Sequence, residues 1–140
     1  MILFDTHCHI ADSAFDSDLP EVIDRFLQAG GRRAVVVADP CEEAPNQEKV
    51  FSLVESRDFL FGAIGVHPHN SIRYSDAVEK EMLSYLAREK CRLFGEIGLD
   101  YHYDLSPREV QREVFDRQLE LAYDLNIPVQ LHIREAHGDC

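Results

Sequence analysis

Several features that would place this 140-residue chain in a special class of protein are missing from its sequence. No apolar run approaches the roughly 18 residues that a membrane-spanning helix needs. Residues 1–4 turn acidic at Asp5 without a basic segment or a long apolar segment, so they do not resemble a secretory signal. We therefore expect a protein of the cytoplasm with no membrane partner.

Paired cysteines and an excess of positive charge are missing too. The four cysteines are scattered with no CxxC pair, which favours free thiols in a reducing compartment. Lys and Arg number 14 against 26 Asp and Glu, a formal net charge of −12. That balance argues against a protein that wraps duplex DNA electrostatically. It does not exclude an enzyme whose bound metal ions meet a phosphate locally.

A repeated strand-then-helix pattern is what the sequence does contain. Apolar, β-branched runs at 2–4, 34–38, 59–66, 93–97 and 129–133 predict five strands. Their starts lie roughly 30 residues apart, which is the length of one βα unit. Strands that alternate with helices indicate an α/β fold with a parallel sheet. No low-complexity stretch or Gly/Ser linker marks an internal domain boundary.

Polar residues predict where the helices begin. Asp18 starts a D-x-x-E pattern, Pro45 opens a second helical segment, and Ser75 can cap a third. Ser106 starts an S-x-x-E capping box with Pro107 at the first helical position. One face of that last helix carries apolar residues that we expect to pack on the sheet: Phe115, Leu119 and Ala122.

Polar residues also occupy alternate positions at the C-terminal ends of four predicted strands. Alternate residues of a strand point to one face, and ligands of parallel α/β folds gather at the C-terminal ends. Four strands therefore deliver histidines, carboxylates and an arginine to one rim. The four series are Asp5, His7, His9; Gly65, His67, His69; Glu96, Gly98, Asp100; and Gln130, His132, Arg134.

We interpret the rim as a metal site held by His7, His9, Glu96 and His132. Neutral imidazole suits zinc and similar transition metals, and carboxylates also accept manganese or magnesium. An HxH pair alone would be weak evidence, because most histidines are solvated or satisfied in a core. Gly95 and Gly98 flank Glu96 and leave room for the close approach of another group.

Other polar residues of the rim have more than one interpretation. Arg134 presents a planar fork for phosphate or carboxylate, or else pairs with a neighbouring acid. His67 and His69 either line a substrate pocket or are structural. Asp5 and Asp100 either orient a histidine from behind or are ordinary strand-end carboxylates. Two further histidines lie outside the series and are expected to be exposed loop residues: His102 and His137.

Four stretches that contain these residues resemble the TatD-type metal-dependent hydrolases. They come in that family's order and span nearly the whole chain, which makes the resemblance specific. They are Phe4-Asp5-Thr6-His7-Cys8-His9, Gly65-Val66-His67-Pro68-His69, Gly95-Glu96-Ile97-Gly98-Leu99-Asp100-Tyr101 and Val129-Gln130-Leu131-His132-Ile133-Arg134-Glu135-Ala136.

The resemblance implies a (β/α)8 TIM barrel and a hydrolase with two divalent metal ions that acts on phosphodiesters, DNA above all. His7 and His9 match ligands of one metal, Glu96 matches the catalytic carboxylate that bridges both, and His132 matches a ligand of the second. His67, His69 and Arg134 would hold the substrate's phosphate. The ions themselves would be zinc, manganese or magnesium.

The chain departs from the family pattern in length. The family's barrel has eight strands, and this sequence supplies about five βα units. We therefore expect residues 1–140 to be the N-terminal part of a single barrel domain, without strands six to eight. Those strands would carry a further histidine and an aspartate of the site. On its own such a part should be inactive and should self-associate through its strand edges, with no obligate protein partner.

Two other functions remain open from the sequence. A hydrolase of related design could cleave C–N or ester bonds, since an HxH pair on the first strand is common to both types of enzyme. A shortened barrel could also be retained for binding or assembly without catalysis.

Overall fold

A computed structural model of the chain describes residues 1–43 and 46–140. Within them, strands alternate with helices along the whole chain, as the sequence pattern predicts. The elements are β1 (Leu3–Cys8), α1 (Leu19–Gln28), β2 (Gly31–Ala38), α2 (Gln47–Glu55), β3 (Leu60–Ile64), α3 (Asp76–Leu86), β4 (Cys91–Asp100), α4 (Arg108–Leu125) and β5 (Val129–Arg134), with short 3-10 turns at Ser13–Phe15 and Pro68–Arg73.

The five strands form one parallel sheet in the order β1-β2-β3-β4-β5. Sequential parallel strands with a helix between each pair are the arrangement of a TIM barrel, of which these five make up a half-barrel. The α/β class and the partial barrel are thereby confirmed. A side-chain hydrogen bond also crosses the concave face, from Gln130 Nε2 on β5 to the Thr6 carbonyl on β1.

The core lies between the convex face of the sheet and the helices. Its largest members are fully buried, and Phe94 and Ile97 of β4 occupy the centre with Phe51 of α2 and Met82 of α3. The predicted apolar face of α4 packs on the same core through Phe115, Ala122 and the partly buried Leu119. None of the helices in the described residues is long and apolar enough to cross a membrane.

The helices begin close to the predicted positions, but the predicted residue does not always cap the helix with its side chain. Ser75 caps α3, where its hydroxyl accepts a hydrogen bond from Val78 N at 3.4 Å. Asp18 precedes α1 but makes no side-chain cap. Pro45 lies outside the described residues, and the cap of α2 is Asn46, whose carbonyl Oδ1 accepts from Lys49 N at 3.0 Å.

The capping box predicted at Ser106 is wrong. α4 begins at Arg108 with Pro107 as its N-cap residue, so no side chain caps that end. The Ser106 hydroxyl is buried and faces the 3-10 turn at Pro68–Arg73 instead, donating to the His69 carbonyl and accepting from Ile72 N. Two backbone groups of that turn thus take the place of the helix terminus as partners of this hydroxyl.

We expect Phe94→Ala to destabilise the protein by about 3–5 kcal/mol, because it leaves a cavity in a core where Phe94 has no exposure. The matched control is Tyr123→Ala on α4, where the side chain is 86% exposed and the change should cost less than about 0.5 kcal/mol. Urea unfolding followed by circular dichroism measures both. Equal midpoints for the two variants would contradict the central place of Phe94 in the core.

Candidate metal centre

Three strand ends bring a carboxylate into contact with three imidazoles. His7 lies at the end of β1 and His9 just beyond it, and their Nε2 atoms are 3.1 Å apart. Glu96 of β4 places Oε2 3.3 Å from His7 Nε2, and its other oxygen Oε1 lies 2.9 Å from His132 Nδ1 on β5. The structure therefore brings together all four residues that the sequence singled out, with Glu96 in the middle.

These separations fit a divalent metal ion. Ligands about 2.1 Å from a metal lie about 3.0 Å from one another in octahedral geometry and about 3.4 Å in tetrahedral geometry. His7, His9 and Glu96 offer one ligand atom each, and all three atoms lie within 4.8 Å of one another. Restricted access of water and the neighbouring imidazole of His7 lower the pKa of His9, which favours the neutral form that binds metal.

Two glycines, Gly95 and Gly98, allow the backbone of β4 on either side of Glu96 to approach the backbone of β5 closely. A side chain at Gly98, whose φ is 149°, would place its Cβ 1.9 Å from the His132 carbonyl oxygen. At Gly95, the Cβ would lie 2.7 Å from the Gln130 carbonyl oxygen. The prediction that these glycines make room for a close approach is confirmed, and the approaching group is the backbone of β5.

Asp100 holds two of the site's histidines in place. Its side chain is fully buried at the end of β4, and Oδ2 lies 2.8 Å from His69 Nε2 and 3.0 Å from His132 Nε2. The other oxygen accepts hydrogen bonds from His102 N and Tyr103 N. Burial alone would raise the pKa of Asp100, but the four donors outweigh it and hold the pKa well below its usual range.

An ionised Asp100 fixes the tautomer of His132. A carboxylate can only accept, so His132 must carry a proton on Nε2. Its Nδ1, which faces Glu96, is then the nitrogen available to a metal ion. Of the two interpretations that the sequence left open for Asp100, orientation of a histidine is therefore the one that the contacts support.

His67 and His69 reach the rim from a turn and not from a strand. β3 ends at Ile64, two residues before the predicted end, and Pro68 starts a 3-10 turn for which His67 is the N-cap residue. The reason is that the backbone turns away from the sheet: His67 N donates to the buried carboxylate of Asp39 instead of to a strand. The rings still meet the site, with centroids of His67 and His132 4.3 Å apart.

The hydrogen bonds around His67 show which of its ring nitrogens carries the proton. Its Nδ1 accepts from His69 N at 3.2 Å, so the neutral ring carries its proton on Nε2. Burial and the adjacent imidazoles of His132 and His69 lower the pKa of His67 to about 3, which keeps the ring neutral. His67, His69 and His132 are close enough to hold an ion. However, one nitrogen of each ring already takes part in a hydrogen bond: Nδ1 of His67 with His69 N, and Nε2 of His69 and of His132 with Asp100.

The remaining predicted residues lie around this cluster. Arg134 is exposed at the end of β5, with its guanidinium carbon 4.6 Å from the centre of the Tyr103 ring. Asp5 accepts from the backbone N of His7 and so braces the strand end, not an imidazole. His102, which bonds Glu135, and His137 are exposed, as predicted.

A cleft of about 610 Å³ opens beside the histidines and Glu96. Pockets for small ligands are typically about 300–1,000 Å³, so this cleft is large enough for a small ligand. Besides His9, His67, His69 and Glu96, its walls include Asn70, Arg73 and Leu105. Burial raises the pKa of Cys8 to about 11 and the pKa values of Cys91 and of Cys41, which also lines the cleft, to about 12, so these three thiols stay protonated at neutral pH.

Sequence reasoning missed two buried glutamines that support the site from behind. Gln111 and Gln118 of α4 are essentially unexposed. Gln118 bonds both the N–H and the carbonyl of Val66, just before His67. Gln111 accepts from Asp100 N and donates to the carbonyls of Asp100 and Ser106. Their seven-residue spacing on the buried face of a helix was the available signal.

The fold and the donor set define a class of protein: a partial α/β barrel with a His/Glu site suited to divalent metal. The profile of the family described as "TatD related DNase" matches residues 4–140. The chain belongs to this family.

Individual relatives agree with that assignment. The chain is 38% identical over 138 residues to the "Uncharacterized metal-dependent hydrolase YabD" of Bacillus subtilis, covering 99% of this chain and 53% of that protein. It is 34% identical to the "3'-5' ssDNA/RNA exonuclease TatD" of Pantoea ananatis, covering 96% and 51%. The crystal structure of the TatD homologue YjjV of Escherichia coli matches with a TM-score of 0.85 and 35% identity, covering 98% and 52%. The chain thus spans about half the length of these relatives.

We expect Gln111→Leu to lower the free energy of unfolding by about 2–4 kcal/mol, because it leaves Asp100 N and two carbonyls buried without partners. The control is Gln28→Leu, at the exposed end of α1, which should change stability by less than about 0.5 kcal/mol. Thermal unfolding of both variants checks this. A Gln111→Leu variant as stable as the wild type would show that the clamp on Asp100 is not needed.

Proposed function

We propose that the protein is a metal-dependent nuclease that hydrolyses phosphodiester bonds of single-stranded nucleic acid. The observation that carries the proposal is the position of Glu96, whose two oxygens face different histidines, His7 and His132. Relatives whose printed names are metal-dependent hydrolase and ssDNA/RNA exonuclease support it.

We assign His7, His9 and Glu96 to one metal ion and Glu96 with His132 Nδ1 to a second. The mixed imidazole and carboxylate set suits zinc or manganese, and magnesium would rely more on Glu96. Bound divalent ions supply charge stabilisation of the phosphoryl oxygens and water of lowered pKa at neutral pH. Glu96 is the residue whose loss would disturb both positions.

The chain's own residues would bind the phosphate. His67 offers its Nε2–H to a phosphoryl oxygen, since its Nδ1 is engaged by His69 N. Arg134 offers a planar fork that suits two oxygens of a phosphodiester. His69 donates Nε2–H to Asp100, so any contact with substrate would use its other ring nitrogen.

The strongly acidic composition is compatible with a nucleic-acid substrate only if binding is local. With a net charge of −12, the chain as a whole repels a polyanion. Divalent ions in the centre, with Arg134 and Arg73 nearby, would supply the positive potential that a phosphodiester needs against the carboxylates of Glu42 and Glu43, which line the same cleft. This favours a short single-stranded end over a long duplex track.

Residues 1–140 form part of one barrel domain in this proposal. The five-stranded half-barrel and the coverage of about half of each relative support that extent. Catalytic groups supplied by other strands of a barrel would complete the metal centre.

In the full-length barrel protein, we expect Glu96→Gln to reduce the rate of phosphodiester hydrolysis at least 10²-fold, a loss of roughly 2.7 kcal/mol or more of transition-state stabilisation. The amide keeps the shape of the Glu96 side chain but removes the charge that faces His7 and His132. The control is Glu113→Gln, on the exposed face of α4.

Hydrolysis of a single-stranded oligonucleotide with added zinc, manganese or magnesium, with and without EDTA, measures the effect. Activity that EDTA does not abolish, or equal rates for the two variants, would overturn the metal assignment.

A further inference from the structure

Tyr103 is an aromatic side chain that the core does not use. It lies between β4 and α4 and is 52% exposed. Its ring meets those of His69 and His102 edge-on, with centroids 5.5 and 4.7 Å away, and Arg134 lies over it. His69 in turn lies 5.9 Å from the His132 ring. The tyrosine is therefore separated from a proposed metal ligand by a single side chain.

The loop that carries Tyr103 is held rigidly. Tyr103 N donates to Asp100 Oδ1 at 2.9 Å, the same carboxylate that orients His69 and His132. Further along the loop, Arg108 bonds the carboxylate of Asp104 through two nitrogens and the Tyr101 carbonyl through one. When a flat ligand stacks on an aromatic ring that is already held in position, little side-chain entropy is lost on binding.

Charge and shape favour one kind of ligand for this ring. Arg134 brings a permanent positive charge over the Tyr103 ring, so a phosphate and a flat group can be bound side by side. Leu105, two residues further along the chain and 63% exposed, lines the same cleft as Glu96. A nucleotide with an unpaired base has both the flat apolar face and the adjacent phosphate, whereas a paired base in a duplex has no free face to offer.

We propose that Tyr103, together with Arg134, forms a subsite that stacks an unpaired base next to the phosphodiester to be cleaved. The subsite would make single strands better substrates than duplexes and would read no particular base, because every base has a stacking face. This inference rests on the proposed nuclease function, and it adds the residue that distinguishes a nucleic-acid strand from any other phosphodiester.

The test uses the full-length barrel protein and compares a single-stranded oligonucleotide with an abasic strand of the same length. We divide kcat/KM for the base-bearing strand by kcat/KM for the abasic strand. Tyr103→Leu should lower this ratio roughly 10- to 100-fold, mainly by raising KM for the base-bearing strand. Tyr103→Phe should keep the ratio, since the ring remains. Tyr123→Leu, which replaces an exposed tyrosine of α4, is the matched control and should also keep it.

A second readout needs no hydrolysis. With divalent metal present, a hydrolysis-resistant phosphorothioate oligonucleotide with a terminal 2-aminopurine should lose fluorescence when the wild-type protein or Tyr103→Phe stacks on it, and should lose less with Tyr103→Leu. If the wild type hydrolyses both strands but Tyr103→Leu behaves like Tyr123→Leu, the subsite is wrong and the nuclease proposal stands. If the wild type hydrolyses neither strand, the nuclease proposal fails, and quenching that depends on residue 103 would still support the stacking surface.

Discussion

The buried carboxylate of Asp100 is the group on which the rest of the site depends. One oxygen holds the imidazoles of His69 and His132, and the other holds the backbone N–H groups of His102 and Tyr103. Taking a carboxylate out of water costs several kcal/mol unless such donors compensate it. Because all four donors come from segments near the rim, one charge sets the tautomer of a proposed ligand and the path of the loop beside it.

The outer helix α4 stabilises this arrangement from behind. Gln111 satisfies the backbone of Asp100, and Gln118 does the same for Val66 just before His67. Both side chains replace the strand partners that the chain gives up where β3 and β4 end. A buried polar network stabilises and rigidifies a core only when all of its groups have partners, because an unpaired buried polar group is costly in free energy. Each glutamine therefore contributes both to the rigidity of the site and to the stability of the fold.

The sequence predicted the fold, and it predicted that the residues of the proposed metal site lie together, because both follow from periodicity. The alternation of Asp5, His7 and His9, or of Glu96, Gly98 and Asp100, is that of a strand with one polar face, and parallel strands end at a common edge. Apolar spacing on α4 likewise predicted its packing through Phe115 and Ala122.

Contacts set by individual polar atoms could not be predicted in this way. Ser106 matched a capping pattern but bonds a loop instead, and His67 follows a proline turn where a strand was predicted. Competition among nearby donors and acceptors decides such cases, and it depends on positions in space.

The orienting role of Asp100 is tested most directly by the affinity of the metal-free protein for zinc, measured by calorimetry at pH 7 for the wild type and for Asp100→Asn. The amide can donate toward His132 Nε2, so it no longer requires the proton on that nitrogen that leaves Nδ1 available to metal. Loss of a partner that orients a ligand typically costs about 10- to 100-fold in affinity, and we expect a loss of that size with the fold retained. Equal zinc affinity in the two proteins would show that Asp100 does not orient a metal ligand.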